Sequence, residues 1–349
     1  MKKIGKEAKL REKVVQYMYD MANVEWTPGQ EMNFGKHCNS PSLVYKPGQR
    51  YLGQMYNAGG NGIEVFLDAL DAENTYVSED TSWCGPGNSC SSSVRRAWQQ
   101  ISPNVEYQYT VDMMPCFPET GVIAVGNIRW ETYDGNNTSD SVLKETPKAD
   151  VMEAYALTLP GDGMMRHSEQ TGGHALMVTL EPTVVRDTEG NIDPDQSFLY
   201  MTDQNNTINN TRSLPSSWKV DAKVAFSKVY ADGYLPVTIP ELREEETVAP
   251  DFQAEGVPAG QDLLTTGVKG LIKSNYRLVS VTAELSKAGS SGELVTRAVR
   301  HPYTKDFDLT ELAAELMLRE LPPGEYFFKV VAATGLGSDV VAEVAFRTE

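Results

Sequence analysis

The chain has 349 residues, 40% of them hydrophobic and 23% charged, which leaves room for two globular domains or for a large and a small one. Its formal net charge of −17 argues against nucleic acid and anionic membrane surfaces as partners, since both select clustered Lys and Arg. No apolar run approaches the roughly 20 residues of a membrane span.

The first segment, Met1-Lys2-Lys3-Ile4-Gly5-Lys6-Glu7, is basic but leads into no apolar core, so it does not read as a secretory signal. Leu10, Val14, Val15, Met18, Tyr19 and Ala22 then recur at helical spacing and predict an amphipathic helix over 8–23. Residues 33–62, rich in Gly, Asn, Ser and Tyr, read as an irregular ordered loop that contains Gly53-Gln54-Met55-Tyr56. A short helix is expected at Ile63–Leu70.

A turn, Gly87-Asn88-Ser89, delivers Cys90 to the start of the next helix, whose apolar face is Val94, Ala97, Trp98 and Ile101. A thiol at a helix start lies beside unpaired N–H groups and the positive end of the macrodipole, and both favour the thiolate. The other cysteines are Cys38, Cys84 and Cys116. None of the four shows the spacing of a structural zinc site, and with only four histidines no metal or cofactor is expected. In an exported protein, one bridge from Cys84 to Cys116 or Cys38 is the alternative use of these thiols.

Residues 103–150 read as a long insertion outside the compact core, with a short strand at Val122–Val125. A helix at Ala149–Leu157 precedes the turn signature Pro160-Gly161-Asp162-Gly163. His174–Leu180 is a strand candidate, Asp187–Asn191 a hairpin turn, and Ser197–Gln204 the returning strand. The hairpin brings its open ends together, His174 at one and Asp203 at the other. A further strand pair is expected at Phe226–Tyr230 and Tyr234–Ile239.

Glu241–Asp262 carries seven acidic residues against one Arg, with two prolines and two glycines, and reads as a solvated linker. Beyond it, alternation over Val279–Leu285 and β-rich runs at Tyr326–Val331 and Val340–Phe346 predict a small β-sandwich with a helical insertion at Leu309–Leu318. His37 and His167 read as solvated, and Trp26, Trp83 and Trp98 as packing anchors.

Thiol hydrolysis needs a thiolate, an imidazole that shares its proton, and a polar group that fixes the imidazole tautomer. Cys90, His174 and Asp203 supply these in chain order, with Gln204 and Asn205 as alternates for the third role.

Here the chain resembles a known family. Gly87-Asn88-Ser89-Cys90-Ser91-Ser92-Ser93-Val94 is similar to the "DCSG-hydrophobic" nucleophile motif of NlpC-type cysteine peptidases. Pro160-Gly161-Asp162 with Gly173-His174-Ala175-Leu176-Met177-Val178 resembles their "PGD … GHVGIY" segment, and Gly53–Tyr56 their "G-x-P-Y" element. Thr202-Asp203-Gln204-Asn205 resembles the "SEQN" segment of CHAP amidases. The chain departs from these patterns at Ser89, Ser92, Ser93 and Met55.

The resemblance covers roughly residues 45–240 and implies an α+β, papain-like domain over 1–240; the acidic run and the strand pattern then set a linker over 241–267 and an immunoglobulin-like sandwich over 268–349. It implies hydrolysis of peptidoglycan-type peptide or amide bonds, with Tyr56, Ser89, Ser91 and Gly173 beside the substrate. It also implies a secreted or cell-envelope location, and a sandwich that binds a cell surface or another protein. A catalytically inactive binding protein on the same scaffold and an amide acyltransferase are the competing expectations.

Overall fold

The computed structural model describes residues 3–5, 7–106, 109–115, 120–132, 139–167, 172–244, 246–288 and 292–349. It divides into two compact units, Gly5–Glu246 and Met1–Ile4 with Thr247–Glu349. Both units are mixtures of helix and sheet, so the protein is α+β.

The first unit opens on α1 (Glu7–Asn23), whose Leu10, Val14, Met18, Met21 and Ala22 are buried at helical spacing. It continues through β1 (Glu25–Pro28), β2 (Tyr51–Leu52), α2 (Ile63–Asp68) and β3 (Thr75–Tyr76). Strand β1 pairs with β2 and β3, and its Trp26 is packed among Tyr45, Tyr51, Phe66 and Tyr76. Then come α3 (Cys90–Gln99), β4 (Ile123–Ala124), α4 (Ser139–Glu145), α5 (Lys148–Ala156) and β5 (Gly163–Arg166). They are followed by β6 (His174–Thr183), β7 (Phe198–Asn209), β8 (Ser216–Ala225), α6 (Phe226–Ala231) and β9 (Leu235–Thr238).

Six of these strands form one antiparallel sheet in the order β8-β7-β6-β5-β9-β4. Helices α3 and α5 both pack on β6, which explains why Ala175–Thr179 is buried without alternation. The Pro160-Gly161-Asp162 turn clamps these layers. Asp162 is fully buried and accepts from Arg11 at 2.9 Å, Arg243 at 2.8 Å, Thr238 at 2.6 Å and the Leu159 N–H at 2.9 Å. The indole N–H of Trp98 donates to the Gly161 carbonyl at 2.8 Å. A Cβ at Gly163 would lie 2.9 Å from the Trp98 ring, so only glycine lets β5 approach α3 this closely.

Several expectations are corrected here. Phe226–Tyr230 is helical, because Phe226 and Val229, three residues apart, are both buried. Strand β5 stands where only a turn was read. Strand β7 runs on to Asn209, so Asp203 lies within it rather than at its end. The stretch 103–150 is not outside the core: β4 joins the main sheet, and Val105, Met113, Val122, Val125, Trp130 and Val142 are buried.

The stretch 241–267 is not a featureless linker either. It contains β10 (Phe252–Glu255) and α7 (Asp262–Thr266), both in the second unit. That unit continues with β11 (Leu271–Ser274), β12 (Ser280–Lys287), β13 (Leu294–Arg300), β14 (Asp306–Asp308), β15 (Gly324–Thr334) and β16 (Gly337–Thr348). Its sheets, β10-β11-β14 and β13-β12-β15-β16, are antiparallel and share one core that includes Ile272, Phe307, Leu285 and Phe328. This is the layering of a sandwich. Short helical turns over Leu309–Leu312 and Ala313–Leu316 bury Leu309, Leu312 and Leu316 in it. Among the described residues no helix is long and apolar enough to cross a membrane.

Candidate active site

Helix α3 begins at Cys90 because Ser89 caps it. Ser89 has an extended backbone, its N–H donates to the Ser92 hydroxyl at 2.8 Å, and the two hydroxyls are 2.8 Å apart. Ser92 thus fills the place of the Glu or Gln in an ordinary capping box. The serines that depart from the family motif are what starts this helix. Ahead of them, Asn88 pairs with Tyr56 in a parallel bridge, with Asn57 N–H on the Asn88 carbonyl at 2.8 Å and Asn88 N–H on the Met55 carbonyl at 3.0 Å. A Cβ at Gly87 would fall 2.5 Å from Asn57 Oδ1, so glycine is needed for this approach. The 53–56 element and the cysteine turn are therefore one piece of structure.

Cys90 is 8% exposed, and Cys38, Cys84 and Cys90 all carry free thiols. Neither a Cys84–Cys38 nor a Cys84–Cys90 bridge exists, and Cys116 lies outside the described residues. His174 opens β6 opposite Arg166 of β5. Its Nε2 is 3.1 Å from Asp203 Oδ2, with the carboxylate almost fully buried. The carboxylate can only accept, so Nε2 carries the proton and Nδ1 is left for the Cys90 sulfur.

Burial alone would raise the Cys90 thiol. The charge and hydrogen bond of His174, then the N–H groups of Ala175 and Ser91, outweigh it and bring the thiol below its ordinary value. Burial alone would lower His174, but the Cys90 thiolate and the Asp203 carboxylate hold it at about 9. Each partner stabilises the charged form of the other, which favours thiolate and imidazolium over the neutral pair.

The alternates for the third role separate cleanly. Gln204 faces away from His174 and donates to the Gln54 carbonyl at 2.7 Å and to Ser217 at 3.3 Å. Asn205 reaches the same side as Asp203 and donates to its Oδ2 at 3.4 Å. Asp203 sits beside a bulge, where β7 advances two residues from Met201 to Asp203 while its partners step three, from Ala222 to Lys219. Asp221 in that bulge is left-handed, at φ 50°, and accepts from Tyr19 and Thr179, each at 2.7 Å.

A cleft of about 480 Å³ opens over the sulfur, with Tyr56, Ser89, Ser91 and Gly173 in its walls. At Gly173 an added Cβ would meet Thr110 Oγ1 at 1.6 Å, so this wall closes only with glycine. His167 and Trp83 also line the cleft, and His37 stacks on Trp83. His37 is exposed, in line with its reading as solvated, whereas His167 and Trp83 are half-buried in the cleft wall. Two neighbours of His174 escaped the sequence reading. The Tyr234 ring meets the imidazole edge-on at 6.2 Å, and the Arg166 guanidinium lies 5.1 Å above the Tyr234 ring. Recognising β5 as a strand would have placed Arg166 beside His174.

No protein-family model and no curated protein matches the chain.

Proposed function

We propose that this protein is a cysteine hydrolase of peptide or amide bonds, with Cys90 as nucleophile, His174 as acid and base, and Asp203 as the group that orients the imidazole. The observation that carries this reading is the buried relay itself: a lowered Cys90 thiol facing His174, whose other nitrogen is bound 3.1 Å from a buried carboxylate.

In the first step the thiolate forms a C–S bond to the substrate carbonyl carbon. The resulting oxyanion takes the Cys90 N–H, a donor of the first helical turn with no partner within the helix. The C–N bond then breaks, and the leaving amine departs with the imidazolium proton. In the second step His174 takes a proton from water, the hydroxide adds to the thioester carbonyl, and the thiolate leaves with the acid as product.

The scaffold on this reading is papain-like of the NlpC type, and the second unit is an immunoglobulin-like sandwich that binds a cell surface or another protein. Peptidoglycan peptides are the substrate class that the motif resemblance favours. Mass spectrometry of peptidoglycan fragments incubated with the wild-type protein tests this. New amine and carboxyl ends that are absent with Cys90→Ala and with His174→Ala are expected. Equal product from wild type and Cys90→Ala, or none from any of the three, contradicts the proposal.

A further inference from the structure

The sheet that carries His174 and Asp203 is irregular at one level, on both sides of β7. On the β6 side Tyr200 pairs with Leu180 and Met201 with Val178, so Thr179 is an extra residue. On the β8 side Met201 pairs with Ala222 and Asp203 with Lys219, so Val220 and Asp221 together oppose Thr202. The two bulges meet over Thr202. Thr179 Oγ1 donates to Asp221 Oδ1 at 2.7 Å and lies 3.2 Å from Thr202 Oγ1, which accepts the Asp221 N–H at 3.2 Å. From α1, the Tyr19 hydroxyl donates to the same Asp221 oxygen at 2.7 Å. Thr179 and Thr202 are buried, and Asp221 holds a left-handed backbone at φ 50°.

Register decides which face of a sheet a side chain takes, and a slip of one residue exchanges the faces. If the Tyr200–Leu180 pairing continued without Thr179 as an extra residue, Asp203 would stand opposite Met177. His174, three residues further along β6, would then point to the other face and could not meet Asp203. An earlier shift, between Thr183 and Leu180, has already turned the faces once, and the one at Thr179 turns them back. On β8 the bulge settles the side of Trp218. It sets Trp218 opposite Gln204, where both side chains donate to the Gln54 carbonyl, at 2.8 and 2.7 Å. In the unbroken register Trp218 would share the face of Asp203 instead. One level of the sheet therefore fixes both the relay and the anchor of the 53–56 element that borders the cysteine turn.

We infer that Asp221 is a positioning residue for the relay: by clasping Thr179 and Tyr19 it locks the paired bulges, and the locked register keeps His174 and Asp203 on one face. It acts through the backbone of three strands, since its carboxylate bonds to Tyr19 and Thr179 and to neither relay residue. Only Gly, Asn and Asp take a left-handed backbone readily, and of these Asp and Asn also bring an acceptor. As a statement about catalysis, the inference rests on the proposed thiol chemistry at Cys90.

The test is a nuclear magnetic resonance titration of His174 in three variants of the full chain. Asp221→Gly keeps the left-handed backbone and loses the acceptor, Asp221→Asn keeps both, and Thr179→Val loses the hydroxyl at similar volume. With the clasp open, Asp203 holds the imidazole less firmly. His174 should then fall from about 9 by roughly 0.5–1 unit in Asp221→Gly and in Thr179→Val. Asp221→Asn should stay within about 0.3 unit of the wild type, which separates the clasp from the charge of the carboxylate. A role in stability alone would leave the titration of the folded variants where it is.

A titration within about 0.3 unit of the wild type in either Asp221→Gly or Thr179→Val overturns the inference, as does a comparable fall in Asp221→Asn. If Asp221→Gly does not fold, Thr179→Val and Asp221→Asn decide by the same measurement. The alkaline limb of hydrolysis should move with the titration. A wild-type protein that hydrolyses nothing removes the proposed function, and the His174 titration, which needs no turnover, still decides the clasp.

Discussion

Replacing Asp203 with Asn removes one charge from the relay and little else. The carboxylate is 4% exposed and accepts from His174 Nε2 at 3.1 Å, so its negative charge acts on the imidazolium with little screening. A hydrogen bond to a charged group contributes about 1.5–3 kcal/mol, and each pKa unit is about 1.4 kcal/mol, so the loss amounts to about 1–2 units. The sign follows from the proton: Asp203 stabilises the protonated ring, so its removal makes the proton easier to lose. His174 therefore moves from about 9 in the wild type to about 7–8 in Asp203→Asn, starting from the value that the Cys90 thiolate and Asp203 jointly maintain. Nuclear magnetic resonance titration of isotope-labelled histidine reads this directly, with His174→Gln identifying the resonance among the four histidines. Hydrolysis should lose its alkaline limb at correspondingly lower pH, because the imidazolium is the proton donor to the leaving amine. A His174 titration in Asp203→Asn within about 0.3 unit of the wild type would refute the reasoning.

Two further predictions concern the scaffold around the site. Asp162→Asn leaves the buried Arg11 and the half-buried Arg243 without their shared carboxylate, and should cost about 3–5 kcal/mol in urea unfolding, with a loss below about 1 kcal/mol contradicting the clamp. Gly173→Ala forces a methyl group to within 1.6 Å of Thr110 Oγ1 and should cost about 1–3 kcal/mol. Adding Thr110→Ala removes the clashing oxygen and should recover at least about half of that, whereas additive losses would show that the two sites do not touch.

The clustering of Cys90, His174 and Asp203 was legible because each rests on a local signal. The glycine turn and the spacing of Val94, Ala97, Trp98 and Ile101 mark the helix that starts at Cys90, and all four are fully buried. The Asp187–Asn191 turn forms as its sequence suggests, with Asp187 N–H on the Asn191 carbonyl at 2.9 Å and Gly190 N–H on the Asp187 carbonyl at 3.1 Å. It therefore brings β6 and β7 together. What the sequence hid depends on non-local packing. Gly163–Arg166 has no alternation to betray a strand because Gly163, Met164 and Met165 are all buried, and with it went the places of Arg166 and Tyr234. Phe226–Tyr230 has the aromatic and β-branched content of a strand, and it is helical with Phe226, against Tyr155, and Val229 both buried. The acidic run at 241–267 looks solvated because β10 is an edge strand, where Gln253, Ala254 and Glu255 are exposed while the backbone still pairs with β11.

Alkylation of the thiols at pH 6 tests the central claim most directly. Iodoacetamide should modify Cys90 at least about tenfold faster than a thiol of ordinary pKa, despite its burial, because His174 and the Ala175 and Ser91 N–H groups lower the thiol and so raise its thiolate fraction. His174→Ala should abolish that advantage, since without the imidazolium burial raises the thiol instead. A Cys90 that reacts no faster than exposed Cys84, or one as reactive in His174→Ala as in the wild type, would contradict the account.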